Sequence, residues 1–438
     1  MNPSAVSRTP VRTPEGRFSN VRWILIFWMF AVSAIAYIDR VNISIAGHAI
    51  ATEFHLSNVE LGWVFSAFVL GYAAFQAPGG WLADRFGPRS ALTFGVVWWG
   101  VFTSLITFVS ADIAGLIVIL IAIRLSLGIG EAIVYPASNC VVAAWIPSSE
   151  RGIANGVIFA GVGFGAGITP PIITYFLLHH GWRSSFWASA VLGLAAGAIW
   201  YLIARDDPKE HPWIGARELA HIQGEKHLSA ASGHEDKRLS WGAILGNRNL
   251  IAVTFSYFCY GYVAYIFFSW FFIYLNTVRG LDLKQSSYYT MLPFLAMAAG
   301  SPLGGWLSDR ITRSRGPRAG RCVFSAVSIG LSAIFVALGT QVASAQMASL
   351  VLAGGAGALY LSQSCFWSVS ADIGKRSAGS VSGVMNMGCQ IGGALTASLT
   401  PVIANRLGWT ASFLVAAALS AAGAVAWLLV NPDRERAS

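Results

Sequence analysis

The chain has 438 residues, of which 55% are hydrophobic and only 11% charged, and its mean hydropathy is +0.59. Soluble domains carry about 25% charged residues, so this chain cannot clothe a water-facing surface, and a soluble globular protein is excluded. Its net charge of +9 would suit a nucleic-acid partner only if the basic residues clustered on a folded domain, which they do not.

A membrane-spanning helix needs about 20 mostly apolar residues. Residues 1–22 are polar and carry Arg8, Arg12, Arg17 and Arg22. The apolar run that follows is too long for a cleaved signal and lacks a small-residue cleavage pattern, so it reads as a retained first span. Runs of spanning length lie near 23–50, 58–82, 90–110, 113–142, 150–177 and 184–204. A charged stretch, 205–249, interrupts them. Six more follow near 250–277, 286–308, 321–340, 345–370, 378–404 and 409–430. The predicted organisation is a tail (1–22), a six-helix half (23–204), a central loop (205–249), a second six-helix half (250–430) and a short tail (431–438). The expected fold class is all-α integral membrane, with twelve transmembrane helices.

With both termini in the cytoplasm, the loops on that side hold 23 of the 29 Lys and Arg residues. The opposite side holds four: Arg183, Arg279, Lys284 and Arg406. Such a bias is a positive-inside signal, and it accounts for the net charge without nucleic acid. The five cysteines, Cys140, Cys259, Cys322, Cys365 and Cys389, all fall in apolar runs and form no CxxC pair. They read as small buried hydrophobes rather than a disulfide framework or metal site.

The halves repeat. Gly79-Gly80-Trp81-Leu82-Ala83-Asp84-Arg85 recurs 225 residues later as Gly304-Gly305-Trp306-Leu307-Ser308-Asp309-Arg310. Gly181-Trp182-x-x-Ser185-Phe186 recurs 227 residues later as Gly408-Trp409-x-x-Ser412-Phe413. Two unrelated motifs at nearly one offset imply parallel six-helix repeats, which place a substrate site between the halves near mid-membrane.

Four charges remain at membrane depth once loop charges are removed: Asp39 and Arg40 in the first span, Arg124 and Glu131 in the fourth. Ionisable residues at such depth are costly and mark function by default. Asp39 and Arg40 point about 100° apart, and Arg124 and Glu131 return to one helix face roughly 10 Å apart along the axis. Neither couple can pair easily within its own helix, so the expected resting pairs are Asp39 with Arg124 and Arg40 with Glu131. The bland alternative is a purely structural ion-pair network. The four charges sum to zero, so a carboxylate entering alone would leave a net charge in a site of low dielectric. A proton on Asp39 or Glu131 would release an arginine, whose planar fork suits a carboxylate. Anion and proton entry are then coupled.

The segment Gly80-Trp81-Leu82-Ala83-Asp84-Arg85-Phe86-Gly87-Pro88-Arg89 resembles the helix 2–3 signature of the major facilitator superfamily, and Asp309-Arg310 its degenerate echo. Tyr37-Ile38-Asp39-Arg40-Val41-Asn42 is similar to the YxDRxN motif of that superfamily's anion:cation symporters, which include bacterial galactonate, glucarate and hexuronate carriers. Phe75-Gln76-Ala77-Pro78-Gly79-Gly80, Arg124 to Glu131, Tyr135-Pro136 and, in the central loop, His211-Pro212-Trp213-Ile214 before Glu218-Leu219 agree with it.

The resemblance implies a major facilitator fold of two pseudo-symmetric halves and proton-coupled, alternating-access import of an organic anion, a sugar acid above all. The coupling ion is the proton, with no cofactor or metal. It implies Asp39 and Glu131 as proton-coupling residues and Arg40, Arg124, Tyr37, Tyr72, Gln76, Ser364, Trp367 and Asn386 as substrate-binding ones. The alternative for the polar ones is helix–helix packing. Tyr265 and Trp270 are further aromatic candidates. Gly80, Asp84, Arg85, Gly87, Arg89, Asp309 and Arg310 would form the gating motif, with Asp84 latching onto a helix N-terminus of the other half. The expected setting is a monomer among the lipids of a bacterial inner membrane.

One departure stands out. Where galactonate-type carriers tend to have Gln in helix 5, this chain has Val162, which points toward a less hydroxylated acid. Anion exchange, tartrate or aromatic-acid import, hydrophobic efflux, a membrane sensor and a membrane enzyme are the competing readings. Two deep arginines argue against efflux. No appended domain supports a sensor, and no HExxH, GxSxG or Walker sequence supports an enzyme.

Overall fold

The computed structural model describes residues 19–56, 58–230, 239–271 and 274–431. Most of the expected N-terminal tail and all but one residue of the expected C-terminal tail lie outside these. The first half comprises α1 (Val21–Glu53), α2 (Asn58–Phe86), α3 (Pro88–Leu105), α4 (Leu116–Glu131), α5 (Val134–Trp145), α6 (Arg151–His180) and α7 (Trp182–Ile203). Two short helices follow, α8 (Ala216–Ala230) and α9 (Trp241–Gly246). The second half comprises α10 (Arg248–Ser269), α11 (Leu283–Arg315), α12 (Phe324–Gln341), α13 (Ala345–Leu361), α14 (Gln363–Gly374), α15 (Ala378–Leu407) and α16 (Trp409–Leu428). Among the described residues, nine stretches are long and apolar enough to cross a membrane, and one of them, Ala345–Thr396, is a double-length stretch.

Two expected spans are broken. Span four divides at Glu131, where Ala132 and Ile133 separate α4 from α5. Pro136 has no N–H to give to the carbonyl one turn earlier, so the ladder fails there. Span ten divides at Ser362, whose amide and hydroxyl both turn back to the Leu359 carbonyl, at 3.1 and 2.7 Å. Side-chain back-bonding of this kind competes with the helix ladder.

The repeated Gly-Trp motif marks equivalent corners. Gly181 and Gly408 have φ of +77° and +87°, which end α6 and α15 and let Trp182 and Trp409 open α7 and α16. The halves meet most extensively along two helix pairs, α2 with α15 and α6 with α11. Glycines permit the close approach of α6 to two partners. A Cβ on Gly161 would meet the Phe30 carbonyl of α1 at 2.4 Å, and one on Gly163 the Phe294 carbonyl of α11 at 2.5 Å. The glycine run around Val162 is therefore a packing device, as small residues are in membranes.

The central segment is anchored to the first half. Buried Glu218 on α8 accepts from Ser19 Oγ (2.5 Å) and from the amides of Val21 and Arg22 (3.0 Å each), capping the first turn of α1. His211 Nε2 bonds the Ile203 carbonyl at 2.8 Å, and its Nδ1 accepts from the Trp213 amide at 3.2 Å. Arg22 pairs with Glu150 at 3.1 Å. The start of α1, the central segment and the α5–α6 junction thus share one end of the bundle.

Candidate functional site

The charged residues converge between α1, α2, α3 and α4. Arg40 on α1 donates to Glu131 Oε1 on α4 at 2.5 Å, and Glu131 is fully buried. The expected Arg40–Glu131 pair is therefore formed. The Arg40 guanidinium also lies over three rings, Tyr72 at 4.4 Å, Tyr37 at 4.7 Å and Phe68 at 5.0 Å. Such stacking stabilises a desolvated cation by roughly 2 kcal/mol.

The expected Asp39–Arg124 pair is not formed. Asp39, one residue back on α1, faces α3, where Oδ2 accepts from Trp99 Nε1 (3.1 Å) and Thr103 Oγ1 (3.0 Å). Oδ1 has no hydrogen-bond partner. Arg124 is 2% exposed, lies 4.8 Å from the Phe68 ring and joins no carboxylate in an ion pair among the described residues. The reason is the 100° turn between neighbours on a helix, which aims Asp39 at α3 and Arg40 at α4. Two neutral donors on α3 already hold the carboxylate. Trp99, Thr103 and Phe68 were not apparent as site residues in the sequence, because aromatics and threonines are common in any span.

The glycines of α4 set the depth of the pair. A Cβ on Gly128 would strike the Phe68 carbonyl of α2 at 2.2 Å. Close packing of α4 on α2 brings Glu131 under the aromatic stack of α2. Glu131 Oε2, just before the helix break, has no hydrogen-bond partner.

Around the charges stands a neutral lining from both halves. Gln76 Oε1 on α2 accepts from Asn386 Nδ2 on α15 at 2.9 Å, joining the halves directly. Tyr72 and Gln76 are buried, at 1% and 0% exposure, as is Tyr37 at 9%. Trp367 on α14 donates Nε1 to Tyr257 Oη at 3.0 Å and packs on Phe159 and Tyr135 at 4.9 and 5.9 Å. Tyr135 Oη in turn lies 2.9 Å from Ser33 Oγ. Ser364 is fully buried, and its hydroxyl has no hydrogen-bond partner. Tyr265 Oη donates to Gln390 Oε1 at 2.6 Å. Gln363 gives Nε2 to Tyr257 Oη at 2.9 Å and keeps Oε1 unsatisfied. Tyr257 was missed in the sequence for the same reason as Trp99, and Gln363 and Gln390 because they carry no charge and fall outside the motifs read there. Trp270 ends α10 beside Trp409, at a ring separation of 6.3 Å, away from the charges. Val162 is buried in the apolar core and adds no polar group.

At the end of the bundle where α1 begins, two latches join the halves. Asp84 at the end of α2 accepts from the amides of Gly379 (2.9 Å) and Ser380 (2.7 Å) and from Ser380 Oγ (2.6 Å), at the N-terminus of α15. Asp309 at the matching place on α11 accepts from the amides of Gly152 (3.0 Å) and Ile153 (2.7 Å), at the N-terminus of α6. A carboxylate meeting free amides at a helix start is favoured by both hydrogen bonding and the helix dipole. The glycines make room. A Cβ on Gly80 would meet the Gly379 carbonyl at 2.0 Å, and one on Gly305 the Gly152 carbonyl at 2.1 Å.

The remaining motif residues divide by direction. Arg89 stacks on Tyr201 at 4.1 Å and donates Nε to the Tyr201 carbonyl at 2.9 Å. Its amide and the tight turn at Gly87 (φ +84°) embrace Asp206. Arg85 and Arg310 lie outside the latches. The cation beside Asp309 is instead Arg321, paired at 2.7 Å and 2% exposed. Its position in sequence suggests a loop residue, yet it is buried. A third link, the ion pair of Arg151 with Asp372, joins α6 to α14.

The Major Facilitator Superfamily pattern matches residues 29–397. The chain is 36% identical over 403 residues, 91% of each chain, to the probable sulfoacetate transporter of Cupriavidus necator. It is 36% identical over 306 residues, 68% of this chain and 67% of the other, to the probable galactarate/D-glucarate transporter of Bacillus subtilis. Among solved structures, the proton:xylose symporter bound to 6-bromo-6-deoxy-D-glucose superposes with a TM-score of 0.73 at 16% identity, over 94% of this chain and 97% of that one. The chain belongs to the major facilitator superfamily, within its anion:cation symporter family.

Proposed function

We propose that the protein imports an organic anion with a proton, a sugar acid such as an aldonate, aldarate or hexuronate, by alternating access across a bacterial inner membrane with both termini cytoplasmic. The observation that carries this reading is the unequal state of the two deep arginines. Arg40 is held by Glu131, while Arg124, two turns earlier on α4, has no ion-pair partner among the described residues. A bound carboxylate would complete Arg124. A proton on Glu131 would then release Arg40 to a second acidic or hydroxyl group of the same solute. The transported complex keeps the site near neutrality, which a low-dielectric interior demands. The buried amides and hydroxyls of Gln76, Asn386, Tyr72, Ser364 and Trp367 would line the rest.

A second reading, a small anion with few hydroxyls, has its own support. Val162 offers no hydrogen bond, and the relative matching over 91% of both chains is named for sulfoacetate. Anion exchange remains the rival in mechanism. The test is reconstitution in liposomes with a pH-sensitive dye inside, challenged with sugar acids, sulfonated acids and simple carboxylates. Substrate-dependent acidification that Arg124→Ala abolishes supports symport and names the solute. Labelled-acid exchange with no proton movement for any acid would overturn symport.

A further inference from the structure

The repeated Gly-Gly-Trp-Leu-x-Asp-Arg motif has two faces, and the latches use only one. The aspartate turns inward in both copies. The tryptophan and arginine, four residues apart and so on one helix side, turn outward. Trp81 is 40% exposed and Trp306 44%. The guanidinium of Arg85 lies 5.5 Å from the Trp81 ring, and that of Arg310 5.4 Å from the Trp306 ring. Each pair ends an exposed stripe. On α2 the stripe runs Leu70, Ala74, Pro78, Trp81, Arg85, and on α11 it runs Leu295, Ala299, Leu303, Trp306, Arg310. Every member of one stripe is matched by the residue 225 positions on.

In a spanning helix such an outward stripe faces lipid, and its apolar part meets acyl chains. The arginine at its end has no carboxylate partner among the described residues, whereas Arg89, Arg151 and Arg321 at the same end are all engaged. Tryptophan at the end of an apolar stripe sits at headgroup depth, and arginine beside it snorkels to the same level. Around Arg310 the surface forms a shallow hollow shared with Trp306, Arg313 and Ser314, which adds a second cation and a hydroxyl. We propose that these two places are paired, repeat-related binding sites for the headgroup of an anionic phospholipid, one on each half. The phosphate would sit against Arg85 or Arg310 with its acyl chain along the stripe below. An anionic lipid fits better than a zwitterionic one, because no acidic side chain is present in either pair to receive a choline or ethanolamine.

The full chain in nanodiscs of phosphatidylcholine with a minority of phosphatidylglycerol would be released and weighed by native mass spectrometry. Wild type should retain two phosphatidylglycerol molecules. Arg85→Gln and Arg310→Gln should each lose one, the double variant both, and the matching lysine variants neither. Arg406→Gln, an exposed arginine on the other side, should lose none. An unchanged phosphatidylglycerol count in the double variant overturns the proposal. So does equal retention of phosphatidylcholine by wild type, which would mean an unselective lipid annulus.

Discussion

Arg40 and Glu131 are 91 residues apart in sequence and 2.5 Å apart in the fold, inside a cage of three aromatic rings. Removing one partner of a buried ion pair costs about 3–5 kcal/mol. Glu131→Ala should therefore unfold markedly earlier in a detergent thermal melt. Glu131→Gln keeps an acceptor for Arg40 but no longer exchanges a proton. The Gln variant should sustain substrate exchange between the two faces while losing uptake driven by a pH gradient. Accumulation driven by pH in Glu131→Gln would remove this residue from the coupling step.

Asp84 and Cys140 give the latch a native reporter. Cys140 Sγ lies 3.3 Å from Asp84 Oδ1, and the other four cysteines are buried. Opening the latch should bare this thiol. Asp84→Asn keeps the shape but loses charge, and each hydrogen bond to a charged group contributes roughly 1.5–3 kcal/mol. Gly80→Ala attacks the same contact sterically, because its Cβ would meet the Gly379 carbonyl at 2.0 Å. Both should raise the rate of Cys140 alkylation by a membrane-permeant maleimide about tenfold, with the mass of the labelled peptide identifying the site. A rate equal to wild type in both would mean that the latch does not hold this end shut.

How much of this could be read from sequence depended on the kind of signal. Spans were legible because lipid demands long apolar runs, and the deep charges because lipid tolerates so few. The Asp84 latch was legible through its motif. Asp39 shows the limit. Its charge suggested an arginine partner, yet the helix turn gave it to Trp99 and Thr103, and no sequence rule ranks one tryptophan among 17. Arg321 shows a second limit. A loop cation and a buried latch cation look alike in sequence, because burial there depends on how α11 and α6 meet.

The two arginines near Asp309 should behave oppositely. Arg321 is buried and paired with it, whereas Arg310 is exposed. Arg321→Ala strips buried Asp309 of its countercharge and leaves it only the Gly152 and Ile153 amides, a loss of about 3–5 kcal/mol. Arg310→Ala should change stability by no more than about 0.5 kcal/mol, as exposed substitutions do. Thermal melts of the two variants check this. The Asp309→Asn/Arg321→Gln double variant should recover part of the single loss, since it removes both charges. Equal melts for Arg321→Ala and Arg310→Ala would place the second latch elsewhere.

The anchor of the central segment should loosen in mild acid. Burial holds the His211 imidazole below the usual histidine value, against the opposing pull of its bond to the Ile203 carbonyl. The unfolded chain would take up a proton first, near pH 6.5. The stability that neutral His211 contributes is therefore fully present above that pH and is lost as pH falls toward the folded value. A protonated ring could no longer accept from the Trp213 amide at Nδ1, although it would still donate to Ile203. His211→Asn supplies one donor and one acceptor that do not titrate. Limited proteolysis of α8 should accelerate between about pH 7.5 and 5.5 in wild type and stay flat in the variant. The same acceleration in both would shift the cause to another group in the anchor, with Glu218, which holds the first turn of α1, the next to test.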